Sequence, residues 1–253
     1  MSVLDLFRLD GRVVIVTGAS SGLGVSFAQG FAEAGADLVL GARRVERMAQ
    51  TAALVEQAGG RVRTYQTDVT DPEQCQQLVD AAMAEFGRVD VLINNAGVGT
   101  AVPSTRETAE EFRAVIDVNL NGSYWMAQAC GRVMKPGSAI INISSVLGLT
   151  TGGLPQAAYS ASKAGIMGLT RDLAQQWGGR KGIRVNALAP GFFASEMTDE
   201  LKPGYLDSLM PRIILGRLGD AAELAATAVW LASPAAGYVT GQTIVVDGGL
   251  TIA

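Results

Sequence analysis

The sequence predicts an α/β protein in which one parallel sheet is covered by helices on both faces, and three observations lead there. Short β-branched runs alternate with stretches of helical periodicity along the chain. The runs are apolar at nearly every position instead of alternating, as strands are when both their faces are buried. The first run empties into a glycine-rich turn that opens the first helical stretch. Strands alternating with helices imply right-handed crossovers and a doubly wound sheet.

Taken in order, strands are predicted at 12–17, 37–42, 61–66, 89–94, 139–143, 183–188 and 243–246, and helices at 23–34, 45–58, 72–86, 109–133, 158–177 and 221–231. Asp71 before Pro72 reads as an N-cap followed by proline at the first helical position, and Gly87 closes that helix. A length of 253 residues fits one large domain over 1–253 with a sizeable core, and no linker, repeat or low-complexity segment divides it. The irregular stretch 190–219 is long for a connection, which predicts a lid over a substrate.

Composition removes whole classes of function. The net charge of −4 argues against nucleic acid as a partner, since phosphate binding wants a basic face. The apolar runs are of strand length, far from the ~20 residues of a membrane span, and the first ten residues carry no basic signal-peptide region. Two distant cysteines, Cys75 and Cys130, read as reduced thiols and make the cytoplasm the expected compartment. There is no histidine, so Ser–His triads, Cys–His dyads and histidine metal sites are all excluded, and no metal is expected. Acid–base chemistry near neutral pH must then use Tyr, Lys, Asp, Glu, Cys or a cofactor.

The turn Thr17-Gly18-Ala19-Ser20-Ser21-Gly22-Leu23-Gly24 joins the first strand to the first helix. Glycines there let the backbone bend tightly and approach a pyrophosphate, which the free N–H groups and dipole of a helix N-terminus would hold. The spacing G-x-x-x-G-x-G matches neither G-x-G-x-x-G nor a P-loop, and a turn that needs glycine only for packing would look similar. In such folds an acid at the end of the second strand takes the ribose hydroxyls of NAD, and an arginine accommodates the extra phosphate of NADP. Here that strand ends Leu40-Gly41-Ala42-Arg43-Arg44, with no carboxylate. Either the arginines form a solvated helix start, an unfavourable place for cations, or they face an anion; the second reading predicts NADP.

Tyr159 and Lys163 lie four apart at the start of a helical stretch, on one face, where the ammonium would favour the phenolate and lower the phenol's pKa. Such spacing alone arises by chance in many helices, yet without histidine it is the best acid–base candidate in the chain. Ser145, just past the strand 139–143, would face the ligand crevice and could hold a substrate oxygen beside the phenol.

With these motifs in order, the chain resembles the short-chain dehydrogenase/reductase family over nearly its whole length. The matching segments are Thr17–Gly24, Asp68 in TDVTD, NNAG from Asn94 to Gly97, Asn119 in DVNL, Ser145 in ISS, YSASK from Tyr159 to Lys163, Pro190-Gly191, and the closing TGQTIVVDGG. The resemblance implies a single-domain Rossmann-type sheet of about seven strands in the order 3-2-1-4-5-6-7. It implies Tyr159 as proton donor in reduction and base in oxidation, Lys163 as the group that lowers its pKa and binds the nicotinamide ribose, Ser145 as the carbonyl's orienter, and Asn119 as holder of a water linking Lys163 to solvent. For the cofactor it implies Gly18, Ser20, Ser21, Gly22, Leu23 and Gly24 at the pyrophosphate, Arg43 and Arg44 at the phosphate of NADP, Asp68 and Val69 at the adenine, and Asn95, Ala96, Gly97, Pro190 and Gly191 along its length. Ser195 stands where relatives often have a carboxamide-binding threonine. Ser21 stands where many NADP-dependent members carry a basic residue, which leaves that preference to Arg43 alone or with Arg44.

Phe192, Phe193, Met197, Leu201, Tyr205, Leu206, Leu209, Met210, Ile213 and Ile214 make the expected lid apolar, and Val146, Leu147, Leu149 and Leu154 add apolar residues near Ser145. The small-molecule substrate is therefore expected to be an apolar ketone or acyl chain, reduced by a carbonyl or 3-oxoacyl reductase using NADPH. An NAD-linked alcohol or sugar dehydrogenase is the alternative, because the opening LFRLDGRVVIVTG resembles gluconate and sugar dehydrogenases of the family. A non-catalytic cofactor-binding protein would be expected to have lost Tyr159, Lys163 or Ser145, and all three are present. Gly165 and Gly168 inside the helix 158–177 suggest close packing by a neighbouring helix. As family members usually pair this helix and 109–133 across twofold axes, a homotetramer is expected.

Overall fold

Seven strands, β1 (Val13–Thr17), β2 (Asp37–Ala42), β3 (Val62–Gln66), β4 (Val91–Asn94), β5 (Ala139–Ile143), β6 (Arg184–Pro190) and β7 (Thr243–Val246), form one sheet in the order β3-β2-β1-β4-β5-β6-β7. Every neighbouring pair is parallel. The structure, a computed structural model, describes residues 2–194 and 204–253. The period-2 geometry of a strand explains the continuous apolar runs. In β1, Val14 and Val16 join one core with Leu38, Leu40, Ile93 and Ile141, while Val13 and Ile15 join the other with Val39, Leu92 and Ile140.

Helices complete both layers. Helix α1 (Leu23–Glu33) brings Phe27 and Phe31 to the first core, α2 (Val45–Gln57) brings Met48 and Val55, and the helix at Ala221–Ala232 brings Leu224 and Leu231. The second core takes Leu78 and Val79 from α3 (Pro72–Phe86), Met126 from α5 (Gly122–Val133) and Leu173 from α6 (Ala157–Lys181). This is the Rossmann-type arrangement expected, with β2, β5, β7 and α3 at the predicted bounds. Helix α3 starts and stops for the reasons its sequence gives. Asp71 accepts hydrogen bonds from the Glu73 and Gln74 amides, Pro72 occupies the first turn, and Gly87 ends the helix at φ 74°. Cys75 and Cys130 are both unpaired within the second core, and burial pushes the Cys75 thiol up to about 12. No helix among the described residues is long and apolar enough to cross a membrane.

The stretch 109–133 departs from the single helix expected. Helix α4 (Ala109–Ile116) passes into a π turn, Asp117–Asn121, before α5 begins. The side chain of Asn119 and the lack of one at Gly122 account for the widened turn. Asn119 is fully buried and bonds both backbone groups of Val98, while a Cβ at Gly122 would sit 2.7 Å from a Val69 methyl. Gly165 is closely packed by a neighbouring helical segment, with Leu120 of the π turn 3.0 Å from where a Cβ would stand.

Strand order reverses direction between β1 and β4. Loops leaving their carboxyl ends diverge to opposite faces and open a crevice there, the usual ligand position in open α/β sheets.

Candidate active site

A cleft of about 640 Å³ runs along the carboxyl ends of the strands. At one end lies the glycine turn. Gly18 has φ +66°, and a Cβ on it would come within 2.8 Å of the Ala96 Cα; a Cβ on Gly24 would overlap the Gly18 carbonyl. The turn is thus folded against the Asn95–Ala96 backbone. Asn95 donates from Nδ2 to the carbonyls of Thr17 and Gly18, at 3.0 and 3.2 Å. The amino end of α1 is left facing the cleft, the cradle a pyrophosphate needs. Arg43 and Arg44 line the same end, and Arg44 donates to the hydroxyls of Ser20 (3.4 Å) and Ser21 (3.2 Å). Asp68 and Val69 form the adjoining wall, and the Asp68 carboxylate is oriented by the Thr70 amide and hydroxyl.

At the other end Tyr159, Lys163 and Ser145 come together. Ser145 follows β5 and caps a short 3-10 turn, Val146–Gly148, its oxygen accepting from the Leu147 amide at 3.1 Å. That leaves its proton free to donate, and it hydrogen-bonds the Tyr159 hydroxyl. One turn beyond Tyr159 on α6, Lys163 lies with its ammonium 5.5 Å from the Tyr159 ring centroid and donates to the Ile143 carbonyl at 2.8 Å. Asn119 ties the loop after β4 to α6: Oδ1 accepts from the Val98 amide (2.8 Å), while Nδ2 donates to the Val98 carbonyl (2.9 Å) and to Ser162 Oγ (3.0 Å). Ser162 in turn donates to the Tyr159 carbonyl at 2.7 Å.

The electrostatics of the pair are set largely by burial. In the structure burial pushes Tyr159 above its ordinary value, with the Ser145 hydrogen bond acting the other way. Burial also brings Lys163 down to about 8, so it stays largely charged at neutral pH.

Most of the predicted residues line this one cleft: Gly18, Ser20, Ser21, Gly22, Leu23, Arg43, Arg44, Asp68, Val69, Asn95, Ala96, Gly97, Ser145, Tyr159, Lys163, Pro190 and Gly191. Gly24 and Asn119 stand behind it as supports. The Asn119 side-chain amide is occupied by protein partners, and the Asn119 main-chain carbonyl already accepts from Ser123 Oγ at 2.7 Å. Ser195, with Met197 and Leu201 of the expected lid, lies outside the described residues.

The rest of the 190–219 stretch divides. Phe192, Phe193 and Tyr205 line the cleft, with Tyr205 donating to the Gly152 carbonyl at 2.7 Å, whereas Leu209 and Ile213 are buried packing and Ile214 is exposed. Leu149 is 52% exposed and does not line the cleft. The motifs did not point to Thr100 or Gln156, although both line the cleft and Gln156 stands three residues before Tyr159.

A dinucleotide cradle joined to a Tyr–Lys–Ser cluster at a strand-order switch point defines a class: oxidoreductases that use a nicotinamide dinucleotide on carbonyl and alcohol carbons. Comparison with known proteins gives the family. Residues 18–251 match the family model described as enoyl-(acyl carrier protein) reductase. The chain is 40% identical over 247 residues to a 3-oxoacyl-(acyl-carrier-protein) reductase of Thermotoga maritima, spanning 97% of this chain and 100% of the relative. It is 38% identical over 257 residues to the gluconate 5-dehydrogenase of Gluconobacter oxydans, spanning 100% and 99%. A short-chain type dehydrogenase/reductase from Mycobacterium marinum superposes with a TM-score of 0.95 at 34% identity, over 100% of both chains. The chain belongs to the short-chain dehydrogenase/reductase family.

Proposed function

We propose that this protein reduces a ketone to a secondary alcohol, or runs the reverse reaction, with NADP(H), as a carbonyl or 3-oxoacyl reductase. The observation that carries the cofactor choice is the pair of arginines at the end of β2, with Arg44 reaching to Ser20 and Ser21 and no carboxylate there to meet a ribose diol. The glycine turn has the shape a pyrophosphate cradle needs, and side chains at Gly18 and Gly24 would break it by clashing with Ala96 and with the Gly18 carbonyl. Asp68 and Val69 would flank the adenine, and Asn95 to Gly97 with Pro190 and Gly191 would hold the nicotinamide half. When bound, the nicotinamide supplies or accepts the hydride.

The chain's own residues do the proton chemistry. Ser145, its oxygen fixed by the Leu147 amide, donates to the substrate oxygen and orients the carbonyl. Tyr159 gives that oxygen its proton in reduction and takes it back in oxidation. Burial holds the phenol protonated, which suits the donor; a nearby positive charge makes the phenolate reachable in the reverse direction, and Lys163 supplies one. Asn119 fixes the loop beneath them. Phe192 and Tyr205 close the substrate end with Val146 and Leu147, an apolar wall suited to an apolar ketone or acyl chain.

The kinship with a gluconate dehydrogenase keeps an NAD-linked sugar dehydrogenase as the second reading. Titration with NADPH and NADH during ketone reduction decides between them. Each of Arg43→Ala and Arg44→Ala should weaken NADPH by roughly 10- to 150-fold, the worth of one charge-assisted hydrogen bond, and leave NADH nearly unchanged. A wild type that prefers NADH would overturn the cofactor assignment.

A further inference from the structure

Helix α2 touches the glycine turn through two side chains that differ in kind. At its N-cap, the exposed Arg44 reaches the hydroxyls of Ser20 and Ser21 at 3.4 and 3.2 Å. Farther along, Thr51 donates its hydroxyl to the Ala19 carbonyl at 2.8 Å. Thr51 is 1% exposed and shares the buried face of α2 with Met48 and Val55, which pack in the first core together with Ala19. A hydroxyl buried among apolar side chains costs free energy unless it is paired. In a helix interior such a hydroxyl commonly bonds the carbonyl one turn before it, whereas that of Thr51 crosses to a segment 32 residues away. Valine is branched in the same way and would fill the place without a polar atom, so packing alone does not account for the hydroxyl.

The turn has use for such an anchor. Its first residues are fixed by other bonds: the Gly18 amide donates to the Gly41 carbonyl at 2.8 Å, and Asn95 holds the Thr17 and Gly18 carbonyls. Beyond Gly18 these bonds thin out. The Ala19 amide reaches the Gly41 carbonyl at 3.5 Å, and the Ala19 carbonyl accepts from no main-chain amide among the described residues. Gly22, the N-cap of α1, has no side chain to meet the amides that follow it. Those amides are what the turn offers to a pyrophosphate, and the backbone of residues 19–22 sets their direction. Arg44 is exposed, and a guanidinium drawn to a phosphate no longer holds Ser20 and Ser21. The Thr51 bond is dry and neutral and does not compete with the ligand.

Resting on the reading of this turn as the pyrophosphate cradle of a nicotinamide dinucleotide, we propose that Thr51 is a positioning residue for cofactor binding. Its hydroxyl fixes the Ala19 carbonyl and so keeps the first amides of α1 aimed at the pyrophosphate.

The test measures dissociation constants in the wild type, Thr51→Val, Thr51→Ala and Thr51→Ser, for NADPH and NADH by fluorescence and for ADP-ribose and adenosine by competition. Unfolding of each protein is followed without ligand. Valine and alanine both remove the hydroxyl, and alanine does so without setting a methyl against the Ala19 carbonyl; serine keeps it. The first two variants should bind NADPH, NADH and ADP-ribose roughly 3- to 10-fold more weakly, up to the worth of one buried hydrogen bond. Adenosine, which has no phosphate, should stay within about twofold, and serine should return all ligands to within about twofold of the wild type. A lowered Tm with unchanged dissociation constants would mark Thr51 as a core residue only and overturn the proposal. An equal loss on adenosine, or a loss confined to NADPH, would overturn it too. A wild type that binds none of the three pyrophosphate ligands overturns the cradle reading as well, whereas its preference between NADPH and NADH bears on the arginines alone.

Discussion

Replacing Lys163 by methionine tests the electrostatics of the site apart from its chemistry. Lys163 is 4% exposed, and burial lowers its pKa from 10.5 to about 8. A shift of that size corresponds to about 3 kcal/mol of destabilisation while the lysine is charged, at about 1.4 kcal/mol per pKa unit. The sign follows from linkage: the folded state holds the proton less tightly than the unfolded chain, so stability rises with pH between the two pKa values. The cost is present in full below pH 8 and is relieved as pH climbs from 8 to 10.5. Methionine keeps the length of the side chain and has no charge to bury. It also leaves the Ile143 carbonyl without its 2.8 Å donor, a loss of about 1–3 kcal/mol that does not change with pH. The stability difference between the two proteins should therefore move by about 3 kcal/mol in favour of the wild type from pH 7 to pH 10.5. For a chain of this size that is a relative shift in Tm of roughly 6–12 °C. Denaturation of both proteins without added cofactor, at equal concentration across this range, reads it directly. Parallel pH profiles would refute the reasoning, since they would mean that the buried ammonium carries no desolvation cost.

Two further outcomes are expected. Tyr159→Phe removes the acidic hydroxyl and keeps the ring, so turnover should fall by roughly 10²–10⁴ while NADPH binding, followed by fluorescence, persists; near-normal turnover would remove Tyr159 from the role of proton donor. Sedimentation at micromolar concentration is expected to give a mass near four chains of 26.3 kDa, and a stable, active monomer would refute that assembly.

The parts of the fold that were legible in the sequence are those set by local physics. Burial of both sheet faces writes apolar runs, which located the strands, and Asp71, Pro72 and Gly87 mark their helix ends through side-chain and backbone chemistry that acts within a turn. The cleft was legible where a backbone requirement forces a residue type, as at Gly18, or where two side chains share a helix face, as for Tyr159 and Lys163. What was hidden depends on distant contacts. The π turn at 117–121 is drawn open by Asn119 reaching to Val98, 21 residues away, and no periodicity announces that. The direction of the Tyr159 shift required knowing its burial. Thr100 and Gln156 escaped notice because no motif names them, and only the structure places them on the cleft wall.

The π turn also changes how helix periodicity works on either side of it. An α-helix advances about 100° per residue, so one residue more than the regular count changes the azimuth of everything beyond it. Helix α4 buries Val115, and α5 buries Met126, Ala127 and Cys130 in the second core. The extra residue is absorbed at Asn119, where the backbone bulges toward the loop after β4. Helix α5 lies on the sheet, α4 packs against α6, and Asn119, which ties that loop to α6, is buried between them. The break in regular winding thus falls at the residue through which this stretch of chain holds the site together.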